Sequence, residues 1–168
     1  NERVQKITLP DGKEGEYLTD RLTSEALALI EQDHEKPFFL HFSHYAVHTP
    51  FQAKNNITKK YEKIPEAKRQ GKPIYAAMVQ SVDESVGRVM DALKKLKKLD
   101  NTLVIFTSDN GGLAKATNHA PLRGNKGSYY EGGIRVPFII RWSGVAKSGH
   151  VSDVPVISMD LYPTCLTA

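Results

Sequence analysis

The residues best suited to chemistry form a short cluster, Asp109-Asn110-Gly111-Gly112, directly after a run of β-branched and aromatic residues. The run, residues 102–108, predicts a strand of a sheet. Ligands collect at the carboxyl ends of strands in open α/β sheets. An Asp carboxylate beside an Asn carbonyl suits a hard cation such as calcium or magnesium. The same residue types also build ordinary turns, so a plain turn is the alternative.

His48 is the histidine whose position best suits catalysis. Residues 37–42 (PFFLHF) predict a buried strand, and His48 lies just beyond them in the loop sequence AVHTP. Near neutral pH an imidazole can donate to an ester oxygen or shuttle a proton. A histidine that only anchors its loop is the alternative. His34 falls near the end of a predicted helix and is expected to be solvated. The others have no stronger claim: His41, His44, His119 and His150.

A third candidate is Lys126, which lies in a glycine-rich loop, PLRGNKG, shortly before EGGIR. Glycine lets a backbone approach an anion closely, and a lysine supplies a point charge to an oxyanion. The spacing of a Walker phosphate loop is absent. The alternative is a flexible connection with solvated charges, in which Glu131 and Arg135, four residues apart, pair with each other.

The elements that must position these residues alternate between helices and strands. The predicted helices cover residues 19–34, residues 73 to about 100, and a last segment that opens at Asp160. The predicted strands cover residues 37–42, 102–108 and 136–142, and long loops cover residues 44–72 and 113–133. Ser143-Gly144 turns the chain. This order predicts an α/β fold with a mostly parallel sheet flanked by helices. Cys165, in the last helix, is interpreted as a small core residue.

Composition narrows the classes of function. The 168 residues fit one domain of roughly 100–200 residues, and a hydrophobic share of 40% is enough for a core. Much of the net charge of +4 comes from lysines at a helix end and in a polar loop, without interleaved aromatic residues. No nucleic-acid partner is therefore expected. No stretch approaches the roughly 20 apolar residues of a membrane helix, so no membrane span is expected.

Four segments together resemble the sulfatase family. KPFFLHFSHYAVHTP is similar to the segment that carries an active-site histidine, and YAAMVQSVDESVGRVMDALKKLKKLDNTLVIFTSDNGG to the helix, strand and metal-binding turn. APLRGNKGSYYEGGIRVPFIIRWSG is similar to the lysine loop and the next strand, and VSDVPVISMDLYPTCLTA to the segment after it. The likeness begins near Tyr17, and SDNGG followed by LRGxKGxxxEGGIRVP is specific to this family. One small departure is Ser143, where the family often has proline.

The resemblance implies a partial alkaline-phosphatase-like fold and hydrolysis of a sulfate ester. Asp109 and Asn110 would be ligands of a calcium ion, or of magnesium. Lys126 would contact the sulfate oxygens, and His48 would hydrogen-bond the ester near its leaving-group oxygen. Such groups neutralise a sulfate and stabilise a leaving alkoxide. The implied substrate is a sulfated small molecule or sulfated carbohydrate. The implied location is periplasmic, secreted or lysosomal.

Two features of the family do not occur in this sequence. One is the nucleophile, a formylglycine made from Cys or Ser in a C/S-x-P-x-R motif, and the other is the pair of aspartates that completes the metal site. The first residue is Asn1 and not Met. We therefore expect residues 1–168 to be a single incomplete catalytic domain whose missing N-terminal part carries both features. We expect the isolated chain to be inactive and to bind calcium poorly, since calcium takes about 6–8 oxygens.

Several alternatives remain. The LRGNKG and EGGIR segments disfavour a phosphate or phosphonate ester hydrolase of the same fold. Retention of all four candidate residues disfavours a non-catalytic sulfatase-like protein, and the number of matching segments disfavours a chance likeness. The motifs do not fix the substrate. Residues 113–119 (LAKATNH), between the metal-binding turn and the lysine loop, are expected to contact the group that carries the sulfate, with Asn118 as the side chain to test.

Overall fold

The computed structural model describes residues 9–32 and 35–168. Within this part the chain forms two compact units. The first consists of the described residues up to Arg69 together with Pro73–Ala92, and the second of Gln70–Lys72 together with Leu93–Ala168. His34, the predicted end of the first helix, lies outside the described residues, and so does Asn1.

Helix α1 of the first unit spans Leu18–Glu31, close to the helix predicted from residue 19 onward. Its buried residues recur three or four positions apart, as one face of a helix requires. They are Thr19, Thr23, Ala26 and Ile30. Two of the four are threonines, so this face carries hydroxyl groups into the interior of the unit, and each must find a hydrogen-bond partner there.

Helix α3 spans Pro73–Lys95 and confirms the strongest helix predicted from the sequence. Pro73 is its first residue, where the missing N–H costs no hydrogen bond. Lys94 and Lys95 lie in its last turn, where cations complement the helix dipole. The most buried positions of this helix include two serines, Ser81 and Ser85, one turn apart. Small residues on this face leave room for neighbouring backbone and side chains.

The predicted loop over residues 44–72 contains two helical segments that the sequence did not reveal. Helix α2 spans Asn55–Glu62, and a 3₁₀ turn spans Glu66–Lys68. Ile57 is the buried residue of α2. A helix is recognised in a sequence by apolar residues that recur every three or four positions. This polar segment has one buried side chain in two turns, so it shows no such repeat.

The strand predicted over residues 37–42 does not form. No strand is assigned to these residues, and the side chain of Phe39 is 80% exposed. A strand exists only when a neighbour completes its backbone hydrogen bonds. Within the described residues no segment pairs with this one.

The second unit contains a two-stranded sheet built from β1, Val104–Thr107, and β2, Phe138–Arg141. Both strands were predicted, with longer bounds. They pair antiparallel, in a register that joins Val104 to Arg141 and Thr107 to Phe138. The mostly parallel sheet expected from the sequence is therefore not found among the described residues. A parallel pair needs a crossover that carries the chain back to its starting edge, and the segment between β1 and β2 makes no such crossover.

The end of the chain is less buried than its composition predicts. In β2, Ile139 is 61% exposed, so the prediction of a buried strand is wrong for this chain. Helix α5, Leu161–Leu166, begins where a last helix was predicted, but none of its residues is buried. Cys165 is partly exposed and not a core residue. Periodicity identifies a helix but does not reveal which surface, if any, covers it.

Candidate functional site

Three segments of the connection between β1 and β2 lie near the carboxyl end of β1. Because the strands are antiparallel, Thr107 at the carboxyl end of β1 lies opposite Phe138 at the start of β2. The connection formed by residues 108–137 therefore begins and finishes at the same end of the two strands. They contain the metal turn (residues 109–112), the lysine loop (residues 121–127) and the one-turn helix α4, Glu131–Ile134.

Backbone hydrogen bonds join these three segments. The N–H of Gly111 donates to the carbonyl oxygen of Gly133 at 2.8 Å, which ties the metal turn to α4. The N–H of Lys126 donates to the carbonyl oxygen of Gly112 at 2.9 Å, which ties the lysine loop to the metal turn. The N–H of Gly132 donates to the carbonyl oxygen of Arg123 at 2.7 Å. Each segment is bonded to the other two, so none of them moves independently.

Glycines make this contact possible. A Cβ atom on Gly111 would lie 1.9 Å from the carbonyl oxygen of Gly132, and one on Gly132 would lie 2.2 Å from the carbonyl oxygen of Gly124. The obstructing atoms are backbone atoms, which cannot rotate away as a side chain can. We call this contact of metal turn, lysine loop and α4 the glycine junction. The glycines of DNGG and EGGIR thus serve close packing as well as turning.

The side chains of Asp109 and Asn110 are available to a ligand. Asp109 is exposed and Asn110 partly exposed. The Ser108 hydroxyl donates to the backbone carbonyl oxygen of Asn110 at 3.0 Å, which orders the turn without using either side chain. A carboxylate and an amide oxygen on adjacent residues fit a calcium ion, which takes oxygen ligands. No group of three or more acidic, histidine or cysteine residues suited to a metal occurs among the described residues. The two side chains could therefore supply only part of the ligand set that such an ion takes.

Lys126 differs from its cationic neighbours in having no partner for its charge among the described residues. The guanidinium of Arg123 stacks on the ring of Tyr130 at 3.8 Å from its centre. Arg135 pairs with Glu131 at 3.2 Å, which is the pairing named in the alternative interpretation of this segment. Lys126 is partly exposed and makes no ion pair within 4 Å in this part of the protein. Its backbone is fixed while its ammonium group is free to meet an anion.

His48 belongs to the first unit. Its Nδ1 lies 2.9 Å from the carbonyl oxygen of Thr49. A carbonyl oxygen can only accept, so Nδ1 carries the hydrogen of that bond. The backbone N–H of His48 donates to the carbonyl oxygen of Tyr45 at 3.0 Å, and the two rings meet edge to face at 6.0 Å. Nε2 of this exposed histidine is the ring nitrogen left for a ligand. Thus the structure brings Asp109, Asn110 and Lys126 together in one unit and describes His48 in the other.

A second histidine of the same turn, His44, was not singled out from the sequence. Its Nε2 lies 3.2 Å from the hydroxyl oxygen of Ser85 on α3, while its Nδ1 is buried without a hydrogen-bond partner. Burial lowers the pKa of His44 below its ordinary value. The sequence contained no signal for this pair beyond the presence of Ser85 within a predicted helix, and the need of its hydroxyl for a partner follows from its burial in the structure.

Residues 113–119, which the sequence assigns to substrate contact, are held by a short ladder within the second unit. The N–H of Lys72 donates to the carbonyl oxygen of Ala116 at 2.8 Å, and the N–H of Asn118 donates to that of Gln70 at 2.7 Å. The side-chain oxygen of Asn118 accepts the N–H of Ala120 at 2.9 Å. Part of the Asn118 side chain is thus occupied in shaping its own turn. Its role toward a substrate stays a prediction.

No helix among the described residues is long and apolar enough to cross a membrane. The longest one, α3, carries charged side chains along its length and buried serines on one face.

Comparison with known proteins identifies the family. The family model described as Sulfatase matches residues 1–168. A sulfatase of Formosa agariphila is 38% identical over 160 residues, which cover 88% of this chain and 29% of that protein. Human arylsulfatase H is 40% identical over 158 residues, which cover 89% of this chain and 26% of that protein. Human steryl-sulfatase is 34% identical over 88% of this chain. The chain spans less than a third of the length of these relatives.

Solved structures agree with these sequence matches. The structure of Ps i-CgsB in complex with k-i-k-neocarrahexaose is similar with a TM-score of 0.81 and 41% identity, over 94% of this chain and 35% of that chain. The protein yidJ from Bacteroides fragilis is similar with a TM-score of 0.72 and 28% identity, over 89% of this chain and 36% of that chain.

Proposed function

This chain belongs to the sulfatase family, and from that premise we propose that it is part of a hydrolase that cleaves sulfate esters. Residues 1–168 would form one portion of a single catalytic domain, whose complete sheet would be the mostly parallel sheet of the alkaline-phosphatase-like fold. The nucleophile would be a formylglycine supplied from outside this chain. The proposed location, by likeness to the family, is periplasmic, secreted or lysosomal.

One observation carries this proposal: the backbone of Lys126 is bonded to Gly112, two residues after Asn110. A lone lysine in a flexible loop would have no defined place relative to a metal. Here one hydrogen bond ties the cation to the turn that presents two oxygen ligands. Two positive charges near one anion, a metal ion and an ammonium group, suit an ester that carries a negative charge throughout its reaction.

Different residues of the described part would act on different parts of a sulfate ester. Asp109 and Asn110 would hold calcium, or magnesium, through their side-chain oxygens. When bound, the cation supplies Lewis-acid polarisation of the sulfate oxygens and fixes their orientation. The Lys126 ammonium group would contact the remaining oxygens and neutralise their charge. Because the Lys126 side chain has no ion pair within the described residues, contact with the substrate costs no existing partner.

His48 would act on the oxygen that leaves. Since Nδ1 donates to Thr49, Nε2 is the atom that would face the ester. To donate a hydrogen bond to the leaving oxygen, Nε2 must also carry a hydrogen, so the working form of His48 in this step is the doubly protonated ring. Cleavage of the bond between sulfur and the bridging oxygen leaves the electron pair on that oxygen, and the Nε2 hydrogen stabilises it.

The substrate class we favour is a sulfated carbohydrate, with a sulfated small molecule as the second option. Ps i-CgsB, whose similarity covers 94% of the present chain, is described in complex with k-i-k-neocarrahexaose. Human steryl-sulfatase, by its name, acts on a different class and is 34% identical. The higher identity and coverage of the former support the carbohydrate.

The test is an assay of the full-length protein on 4-nitrophenyl sulfate, sulfated oligosaccharides and 4-nitrophenyl phosphate. We expect sulfate esters to be hydrolysed in preference to the phosphate ester. Lys126→Ala should lower kcat/KM on sulfate esters by roughly 10²–10³, the cost of one group that stabilises transition-state charge. Lys147→Ala, an exposed lysine of the same unit, is the matched control and should change little.

Two outcomes would contradict the proposal. Faster turnover of the phosphate ester would assign the protein to a phosphate hydrolase of the same fold. Absence of turnover on every sulfate ester, with calcium bound, would make it a non-catalytic relative.

A further inference from the structure

A chain of buried hydroxyl groups connects α1 and α3 to the turn that carries His48. The Thr23 hydroxyl of α1 lies 2.6 Å from the carbonyl oxygen of Thr19 and 2.7 Å from the Ser85 hydroxyl of α3. Ser85 lies 3.2 Å from Nε2 of His44. Thr23 is 0% exposed and Ser85 2% exposed, so water does not compete for these bonds.

The number of available hydrogens determines which group donates in each of these hydrogen bonds. Each hydroxyl has one hydrogen, and a carbonyl oxygen can only accept, so the Thr23 hydrogen goes to Thr19. The hydrogen between Thr23 and Ser85 then comes from Ser85. Ser85 therefore has no hydrogen left for His44 and accepts one from Nε2. His44 therefore donates through Nε2, and because burial disfavours the charged ring, its unpartnered Nδ1 is left with a lone pair.

The His44 anchor lies at the start of the His48 turn. The residue after His44 is Tyr45, whose carbonyl oxygen accepts the N–H of His48 and whose ring meets the His48 ring. His48 is exposed, and apart from these contacts its ring is held by Thr49, its direct neighbour. Local bonds define the shape of the turn. On this side of the turn, His44 supplies a hydrogen bond to α3.

The other end of the turn rests on the same helix. Phe51 meets Tyr75, in the first turn of α3, with ring centres 6.0 Å apart and planes at 83°. Tyr75 and Ser85 are separated by roughly 15 Å along the helix, at 1.5 Å per residue. Beside Phe51, the Tyr17 hydroxyl donates to the carbonyl oxygen of Gln52 at 3.0 Å, so this side of the turn has more than one attachment. The turn is thus held on both sides of His48, and loss of the His44 bond would release one side alone.

We propose that His44 is a positioning residue for His48, acting through its hydrogen bond to Ser85. The inference rests on the proposed function of His48 and extends it to a residue that touches no substrate. A catalytic group displaced by about 1 Å loses much of its effect. A bond that fixes one end of an exposed turn therefore governs the leaving-group step.

The experiment compares His44→Phe and Ser85→Ala in the full-length protein on two kinds of sulfate ester. An aryl sulfate with a nitrophenolate leaving group needs little help from a hydrogen-bond donor, whereas an alkyl or sugar sulfate needs much. We expect each variant to lower kcat on the sugar sulfate by about tenfold and on 4-nitrophenyl sulfate by less than about threefold. His44→Gln, which keeps a donor toward Ser85, should restore most of the lost rate.

Matched controls separate positioning from simple loss of packing. Ser81→Ala changes a serine on the same helix that is 1% exposed and whose hydroxyl, among the described residues, donates to the Ala77 carbonyl oxygen of its own helix. His41→Phe changes an exposed histidine three residues earlier. Both should leave the ratio of the two rates unchanged. An equal loss on both esters in His44→Phe, or the same shift in ratio in Ser81→Ala, would overturn the proposal.

A measurement without turnover distinguishes this proposal from the proposed function. Crystal structures of the wild type and His44→Phe report the position of the His48 ring relative to α3, and we expect the ring to move by about 1 Å or more in the variant. Wild-type protein without sulfatase activity would refute the function while this comparison still tests the link. An unmoved His48 ring in His44→Phe, in an active protein, would refute the link alone.

Discussion

The charged groups of the site have no partners of their own within the described residues. Asp109 and Lys126 make no ion pair there, although the backbone of the glycine junction holds their segments together. By contrast, Lys54 in the first unit pairs with Asp20 at 2.9 Å. An acidic and a basic side chain that are fixed through the backbone and not through each other remain free to bind a ligand. This is the arrangement that a metal and an anion would need.

Substitution of Asp109 tests the proposed cation site without reference to turnover. Asp109→Asn keeps the shape of the side chain and removes its charge, and charge count tunes calcium affinity. We expect calcium to bind the full-length protein at least about tenfold more weakly, as measured by isothermal titration calorimetry. Asp153→Asn, an exposed aspartate in the same unit, is the control. Equal affinities of wild type and Asp109→Asn would exclude this carboxylate from the site.

Among the secondary-structure elements, the small helix α4 has a larger role than its length suggests. It contributes two of the three backbone bonds of the glycine junction, through Gly132 and Gly133. A one-turn helix has almost no stability by itself, because its nucleation is unfavourable. Its conformation is therefore set by the metal turn and the lysine loop, and theirs by it. The three segments should be ordered together or not at all.

Gly132→Ala tests that dependence. Its Cβ would lie 2.2 Å from the carbonyl oxygen of Gly124, so the junction must open or shift. We expect a loss of about 1–3 kcal/mol in the free energy of unfolding, typical of overpacking, together with loss of calcium affinity. Gly87→Ala is the matched control, since its Cβ on α3 would meet nothing within 4 Å. The control should be neutral or stabilise by up to about 1 kcal/mol. Similar stability of the two variants would show that the junction tolerates a side chain.

For the molecule as a whole, burial of His44 links stability to pH. Burial lowers its pKa from the ordinary value of 6.5, so the unfolded chain binds this proton more tightly than the folded chain. The contribution of His44 is therefore complete above pH 6.5 and declines as the pH falls below it. Thermal unfolding of wild type and His44→Phe between pH 5 and 7.5 should show a fall in Tm specific to the wild type. Parallel curves would contradict it.

The carboxylates add a separate loss at lower pH. The pKa of Glu84 is lowered by a hydrogen bond from Gln80 and, to a smaller extent, by Lys54. Its contribution is present above the ordinary carboxyl pKa of 4.5 and declines below it. The pH range in which His44 loses its contribution lies above that of Glu84, so the effect of His44 on Tm can be measured separately.

The isolated chain provides a further whole-molecule prediction. The described residues contain no group of three or more metal-binding side chains, and the sequence contains no C/S-x-P-x-R motif. Two adjacent ligands cannot satisfy a cation that takes about 6–8 oxygens. We expect the 168-residue polypeptide alone to show no calcium-dependent hydrolysis of 4-nitrophenyl sulfate. A robust rate that disappears with a chelator would show that the chain is sufficient for catalysis.

The sequence by itself determined the features that depend on neighbours along the chain. Apolar residues at helical spacing located α1 and α3, a β-branched run located β1, and the acid–amide pair that follows β1 defined a candidate oxygen site. The sequence offered the Glu131–Arg135 pair only as an alternative, and the pair forms because residues four apart on a helical turn face each other. The candidate residues Asp109, Asn110, Lys126 and His48 came from the same local patterns and their likeness to a family.

The tertiary structure decided what depends on residues distant in sequence. The antiparallel pairing of β1 with β2 places both ends of the connection between them at the same end of the sheet. The periodicity of the sequence cannot reveal this pairing. The close approach of Gly111 to Gly132 and the bond of His44 to Ser85 likewise join remote segments. A strand or a hydroxyl carries no local signal of its partner, since hydrogen bonding and close packing are satisfied by whichever group the fold brings near. For that reason the sequence identified the reactive residues, and only the fold revealed what holds them in place.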